Sequence, residues 1–421
     1  MQRGKVARNF PDFLTAFCAY ARNQYAPENF TLWAGISLIA AVLERKVWIA
    51  EGREQDGSVY HNYPNLFVLL TAGPGVGKSS AIGQVMPLLY GLEEKINPKF
   101  KHIEGVVTAA GLRTSLTLDT LPSGEKFCGV YCVGSEGSDS PLKNHGDDFR
   151  SMACSMYDCP EKYQFTTGKD GSLKFPLPVM NMLVGVTFDF LGSVVDQNSV
   201  FGGLASRMTY VIEKENKLSG DFFGNVDISG EETVQVERPS NGRMRDRLLE
   251  DLGKIHRMYG KMLIQRNVMP IVDAWYEEFK KDFNDMESER MKSLLIRQRT
   301  LLKKILIIIA ASSGDDLLIT AEHAERAVDL VRNVTKDNPY ILAQSATANV
   351  DSQKGTTQFI AQVLKRNGGK MSRSALKASS LSKGNGVDML TKTFDYLIGA
   401  GWIKVDSDDT VHLLIDPDRY L

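Results

Sequence analysis

The stretch at 65–80, NLFVLLTAGPGVGKSS, constrains this chain more than any other. The run Leu66-Phe67-Val68-Leu69-Leu70 is apolar throughout, the pattern of a parallel strand buried on both faces. A Gly-rich turn follows, and the residues beyond it predict a helix over 79–90. Ala72, Gly73, Pro74, Gly75, Val76, Gly77, Lys78, Ser79 and Ser80 therefore read as a phosphate-binding loop. Glycine tolerates positive φ and has no Cβ, so successive backbone N–H groups can converge on phosphate oxygens. Lys78 is expected to reach the β- and γ-phosphates of a nucleoside triphosphate, with the Ser79 hydroxyl on Mg²⁺. Ala72 stands where the pattern usually has Gly, a mild variation. A chance Gly-rich turn would not be expected to put strand, loop, Lys-Ser and helix in this order.

At 421 residues the chain has room for two or three domains. Hydrophobic residues at 43% and charged ones at 24% fit a soluble globular protein. A net charge of −1 gives no argument about nucleic acid, so any basic surface must be local. Cys18, Cys128, Cys132, Cys154 and Cys159 form no CxxC pair and have no His at metal-ligand spacing. They are expected to be the reduced thiols of a cytoplasmic protein. The longest apolar runs are too short for a bilayer, and no secretory signal follows the first residues, so no membrane partner is expected.

The expected fold class is α/β, with a helical collar over 1–60, a strand-rich nucleotide core over 61–217, a linker and helical lid over 218–350, and a small module over 351–421. The strand within 127–136 ends in Ser135-Glu136, where a carboxylate beside the γ-phosphate would activate water. An Asp commonly precedes that Glu and helps hold Mg²⁺; here the position is Ser135. Another strand ends at Thr187, whose hydroxyl suits contact with the γ-phosphate or the attacking water, with Asn181 the weaker choice. Arg207, in Gly202-Gly203-Leu204-Ala205-Ser206-Arg207-Met208, would stabilise charge on the transferring phosphoryl group. Each has a plain alternative: a surface Glu, a turn cap, a salt-bridge Arg.

Taken in order, the collar helix, AGPGVGKSS, the Ser-Glu strand, the strand ending in Thr and GLASRM resemble the AAA+ ATPases of the helicase branch. The family most resembled comprises phage, prophage and plasmid helicase-like proteins related to the minichromosome-maintenance and superfamily 3 helicases. The similarity covers roughly residues 25 to 345. It implies ATP and Mg²⁺ as cofactors, a homo-oligomeric ring of six subunits, and Arg207 acting in trans as an arginine finger.

Between the Ser-Glu strand and the Thr187 strand, two alternating runs flank Gly168-Lys169-Asp170-Gly171 and predict a hairpin. Related helicases place such a hairpin in the central pore. On that resemblance Lys169 at the tip would touch the backbone of single-stranded DNA, with Lys162 and Lys174 as further contacts. The lid resembles an AAA+ lid that offers an Arg to the nucleotide, and Arg297 and Arg299 both qualify, although a solvated helix face would look the same. Over 351–421, three helices and a hairpin resemble a winged helix. Between Lys354 and Lys392 it holds eight Lys or Arg against one acid, Asp388. That asymmetry suits DNA, whereas the acidic turn at 406–409 keeps the wing out of a groove.

The function this implies is a ring-forming, ATP-driven DNA helicase for replication of a phage or other mobile element, acting on single-stranded or forked DNA. A separate primase, initiator or loader would be its partner, because no primase module is legible. The rival is a non-translocating AAA+ switch or helicase loader; a small-molecule kinase fits the lid and the Arg207 segment poorly.

Overall fold

The computed structural model describes residues 7–22, 25–52, 59–136, 142, 147–167, 171–188, 190–191, 203–214, 241–286, 288–338, 351–381, 393–394, 397–398 and 401–414. They fall into two compact units. The first joins Met1–Thr187, Met208–Asp273 and Thr300–Val334; the second joins Phe188–Arg207, Ala274–Arg299 and Thr335–Leu421.

The first unit begins with α1 (Phe13–Ala21), whose N-cap Asp12 accepts a hydrogen bond from the Thr15 amide, and α2 (Glu28–Leu43). Helix α2 is apolar on every face, and from Phe30 to Leu43 only Leu32 is not fully buried. A helix without a polar side belongs in a core. The collar is not wholly helical, however. Strand β1 (Val47–Glu51) pairs with β2 (Tyr60–Asn62) and with β11 (Gly260–Lys261). The β-branched and aromatic residues Val47, Trp48 and Ile49 favour that outcome.

The central sheet contains β3 (Phe67–Thr71), β4 (His102–Glu104), β5 (Thr117–Thr120), β6 (Lys126–Gly134), β9 (Pro178–Val186) and β10 (Met208–Ile212). Its order is β10-β3-β9-β6-β4, parallel along that path, with β5 antiparallel to β6 at the edge. Strands β3, β9 and β10 are buried along their whole length. Continuous apolar runs are what a parallel sheet covered on both faces requires.

Helix α3 (Lys78–Lys95) leaves the loop after β3 and runs five residues beyond the expected end at Tyr90, with Pro87 inside it. The first unit also holds α4 (Ala109–Ser115), α5 (Asp147–Tyr157), the hairpin β7 (Lys162–Thr167) and β8 (Gly171–Pro176), and α6 (Asn241–His256). Strands β12 (Leu263–Ile264) and β13 (Leu318–Ile319) pair in parallel. Helices α7 (Met269–Asp285), α8 (Glu289–Leu295), α9 (Gln298–Ser313) and α10 (Ala321–Thr335) supply the helical pattern expected for the lid.

In the second unit the rings of Trp275, Phe279 and Phe283 stack at centroid spacings of 5.5 and 5.9 Å. Its C-terminal part runs α11 (Asp351–Arg366), β14 (Lys370–Ser372), α12 (Arg373–Leu381), β15 (Ile403–Val405) and β16 (Thr410–Leu413). A core of Ile360, Leu364, Leu376, Phe394, Leu397, Trp402, Ile403 and Val411 holds it together. The expected hairpin is there, and β14 adds a third strand on β16. Three residues, Lys370-Met371-Ser372, are too few to show alternation in sequence. Most of the third expected helix, at 387–398, lies outside the described residues.

No helix among the described residues is long and apolar enough to cross a membrane.

Candidate functional site

The sheet order brings three strand ends together. Strand β3 ends at Thr71 and opens into the loop, β9 ends at Val186 beside it, and β6 ends at Gly134 on the far side of β9. In register, Thr71 faces Val186, and Gly134 faces Val184. The loop is stitched to this edge, since the Ala72 amide donates to the Val186 carbonyl at 3.2 Å.

Within the loop, Gly75 and Gly77 adopt φ of 75° and 80°, which L-residues rarely take. Gly77 has a second reason to lack a Cβ: one built there would stand 2.1 Å from the Tyr25 carbonyl oxygen, on the segment joining α1 to α2. A Cβ at Gly73 or Gly75 would meet open space. Helix α3 then starts at Lys78, so its unpaired N-terminal amides and dipole face the loop, an arrangement suited to anions.

Lys78 is buried and folds back, donating to the carbonyls of Ala72 at 2.9 Å and Gly73 at 2.7 Å. Burial lowers its pKa, and the Glu136 carboxylate opposes that shift. Glu136 itself is exposed. Ser79 is exposed, and its hydroxyl donates to the main-chain carbonyl of Ser135 at 3.3 Å. Thr187, half-buried, directly follows Val186.

Lys78, Ser79, Ser135-Glu136 and Thr187 therefore sit at one edge of one sheet, as expected. Asn181 does not join them. It is 2% exposed and accepts a hydrogen bond from the Leu66 amide at 2.9 Å, at the opposite end of β3. Arg207, Arg297 and Arg299 fall in the second unit. Arg207 lies in a 3₁₀ turn and donates to the Gly203 carbonyl at 2.7 Å. Arg299 is exposed with its guanidinium 5.3 Å from the Tyr276 ring centre, and Arg297 is half-buried in the turn before α9.

The expected hairpin forms, with Gln164 opposite Lys174 and Lys162 opposite Pro176. Because side chains alternate along a strand, Lys162, Gln164 and Lys174 share one face. Tyr163, Phe165, Leu173 and Phe175 share the other, where Arg113 lies 3.8 Å over the Phe165 ring. Lys162 and Lys174 are exposed; Lys169 lies outside the described residues.

Two contributors escaped the sequence, the Ser135 carbonyl and Gly185. A Cβ on Gly185 would stand 2.5 Å from the Ser135 oxygen and 3.2 Å from the Lys78 Cβ. An isolated glycine inside a buried strand is the one signal that could have found it, since it marks close approach of another backbone.

Among the described residues no group of three or more His, Cys, Asp or Glu could hold a metal ion. The oxygen donors at the loop suit Mg²⁺ bound mainly through nucleotide phosphates. The cysteines form no disulfide, and burial raises the thiol pKa of Cys18 to about 11 and of Cys132 to about 12. The chain matches no protein-family model and no curated protein.

Proposed function

We propose that this chain is a Mg²⁺-dependent ATPase of the AAA+ type that works as a ring-forming DNA helicase for a phage or other mobile element. The observation that carries this reading is the convergence of Lys78, Ser79, Glu136 and Thr187 on the ends of three adjacent parallel strands. When bound, Mg²⁺ would neutralise charge on the phosphates. Loop amides and the N-terminus of α3 hold the triphosphate, and Lys78 leaves its own carbonyls to meet it. Glu136, exposed at the strand end, polarises the attacking water, and Thr187 contacts the γ-phosphate or that water.

Arg207 directly precedes Met208, whose register partner Phe67 begins β3; the loop follows Thr71 at the other end of that strand. This favours a guanidinium that serves a neighbouring subunit's site. Arg297 or Arg299 would approach the nucleotide from the lid. The face carrying Lys162 and Lys174, together with Lys169, would track the strand of DNA, and the C-terminal part of the second unit would act as a winged helix. Primer synthesis and loading would fall to separate proteins.

The deciding experiment combines forked-DNA unwinding and ATP hydrolysis with electron microscopy of the particle. Unwinding by the wild type, abolished by Lys78→Ala and Arg207→Ala, together with six-fold rings, is the expected result. Mixed rings of wild-type and Arg207→Ala subunits should lose activity faster than the wild-type fraction falls. Hydrolysis without unwinding under every condition would reject the helicase in favour of a switch or loader, a reading that the neutral Ser135 in the metal-side position favours.

A further inference from the structure

Where a carboxylate is expected opposite Ser79, this chain has Ser135, and it is the main chain of that residue that faces the loop. The Ser79 hydroxyl donates to the Ser135 carbonyl at 3.3 Å. Gly185 leaves the gap that carbonyl occupies, since a Cβ there would come within 2.5 Å of it. The three residues come from α3, the end of β6 and the end of β9, so strand order rather than local sequence assembles them.

We propose that the Ser135 main-chain carbonyl replaces the missing carboxylate as the acceptor that orients the Ser79 hydroxyl toward Mg²⁺, with Gly185 as the positioning residue that admits it. This rests on the Mg²⁺–nucleotide reading of the loop. A serine hydroxyl has one proton to donate and two lone pairs. With the proton committed to the Ser135 oxygen, the lone pairs stay available to a cation. A carbonyl orients as well as a carboxylate does but carries no net charge, so the site attracts Mg²⁺ less strongly than one with Asp there. Because the acceptor belongs to the backbone, the exposed Ser135 side chain is not part of the device.

The test uses the full chain and a fluorescent ADP analogue, bound first in EDTA and then titrated with Mg²⁺, with Mn²⁺ electron paramagnetic resonance as a direct count of bound metal. Ser135→Ala should leave the metal midpoint within about twofold, Ser135→Asp should lower it about tenfold, and Gly185→Ala should raise it about tenfold, the scale usual for outer-sphere partners. Binding in EDTA should change less than the metal midpoint in each variant, which a merely structural defect would not reproduce. A Ser135→Ala midpoint displaced by tenfold would overturn the proposal, because it assigns the role to the side chain; so would Ser135→Asp failing to tighten the metal. Should Gly185→Ala not fold, the two Ser135 variants decide alone. If the wild type binds the analogue neither with nor without metal, the nucleotide reading itself fails and this inference falls with it. Binding with an unmoved midpoint in all three variants defeats only the inference.

Discussion

The two ends of the central sheet treat polar groups in opposite ways. At the loop end, Ser79 and Glu136 are exposed, a Cβ at Gly73 or Gly75 would meet open space, and Lys78 donates to carbonyls of its own loop. At the far end, Asn65, Lys304, Glu44 and Lys46 are buried with partners. Asn65, wholly buried, donates to the carbonyls of Tyr157 at 2.9 Å and Met180 at 3.3 Å, and accepts from Lys304 at 2.6 Å. Lys304, on α9, is 3% exposed and also donates to the Tyr63 carbonyl. Nearby, Glu44 and Lys46 pair at 2.8 Å; burial raises the Glu44 pKa and lowers that of Lys46, and each partner opposes the other's shift. Buried polar groups are stabilising only when their partners are in place. One end is thus built to hold the fold, and the other leaves Ser79 and Glu136 exposed, where a ligand can reach them.

The largest expected effect comes from removing the loop lysine. Lys78→Ala should cut ATP hydrolysis about a hundredfold or more, the scale for deleting a group that stabilises developing charge. Its urea midpoint should stay close to that of the wild type, because the lysine's partners are main-chain carbonyls of its own loop rather than distant side chains. A variant that unfolds instead would erase the contrast between the ends.

The far end should answer the other way. Asn65→Ala strips the Lys304 ammonium of its amide acceptor and should cost about 3 kcal/mol of stability, as breaking a buried charged network does. Lys304→Met removes the charge along with its need for partners and should cost about 1 kcal/mol or less. Equal losses in the two variants, measured by chemical denaturation, would show packing rather than charge satisfaction to be what matters there.

This division was half legible in sequence. Apolar runs are local signals, so β3, β6, β9, β10 and the hairpin lay close to where they were expected, as did the loop between β3 and α3. The holding network was not legible, because each member needs a partner far along the chain. Lys304, within Leu301-Leu302-Lys303-Lys304-Ile305, looks like part of a solvated helix face, yet its acceptors are 239 and 241 residues away. Asn181, the weaker sequence candidate for phosphate sensing, is instead committed to the Leu66 amide. Ser135 misled differently: attention to side chains registers a missing carboxylate, whereas the contact is made by the backbone. The collar strand β1 was hidden for a related reason, since its partner β11 lies more than two hundred residues on.

The last effect concerns pH, and it sharpens what holding means. His256 Nδ1 lies 2.7 Å from the Lys46 Nζ and 3.3 Å from the Val42 carbonyl, and its Nε2 lies 3.2 Å from the Asn97 side-chain nitrogen. Burial, and then the Lys46 charge, push its pKa from 6.5 down to about 3. The unfolded chain therefore takes up a proton that the folded chain refuses. Stability from this histidine is complete above pH 6.5 and is lost as pH falls toward 3, by at most about 1.4 kcal/mol per pH unit. Asp12 titrates lower: burial raises its pKa, but hydrogen bonds from Thr15 and Arg326 outweigh that and hold it at about 2. Its contribution is lost only as pH falls below the ordinary 3.8, so acid sensitivity between pH 6.5 and 4 tests His256 largely apart from Asp12. His256→Gln should make the fall of the urea midpoint over that window shallower, with His61 and His323, whose pKa values burial also lowers, keeping the rest of it, while leaving ATP hydrolysis at pH 7.5 within about twofold, because a neutral side chain has no proton to gain there. A curve as steep in the variant as in the wild type would place the acid-sensitive group elsewhere and detach His256 from the holding network.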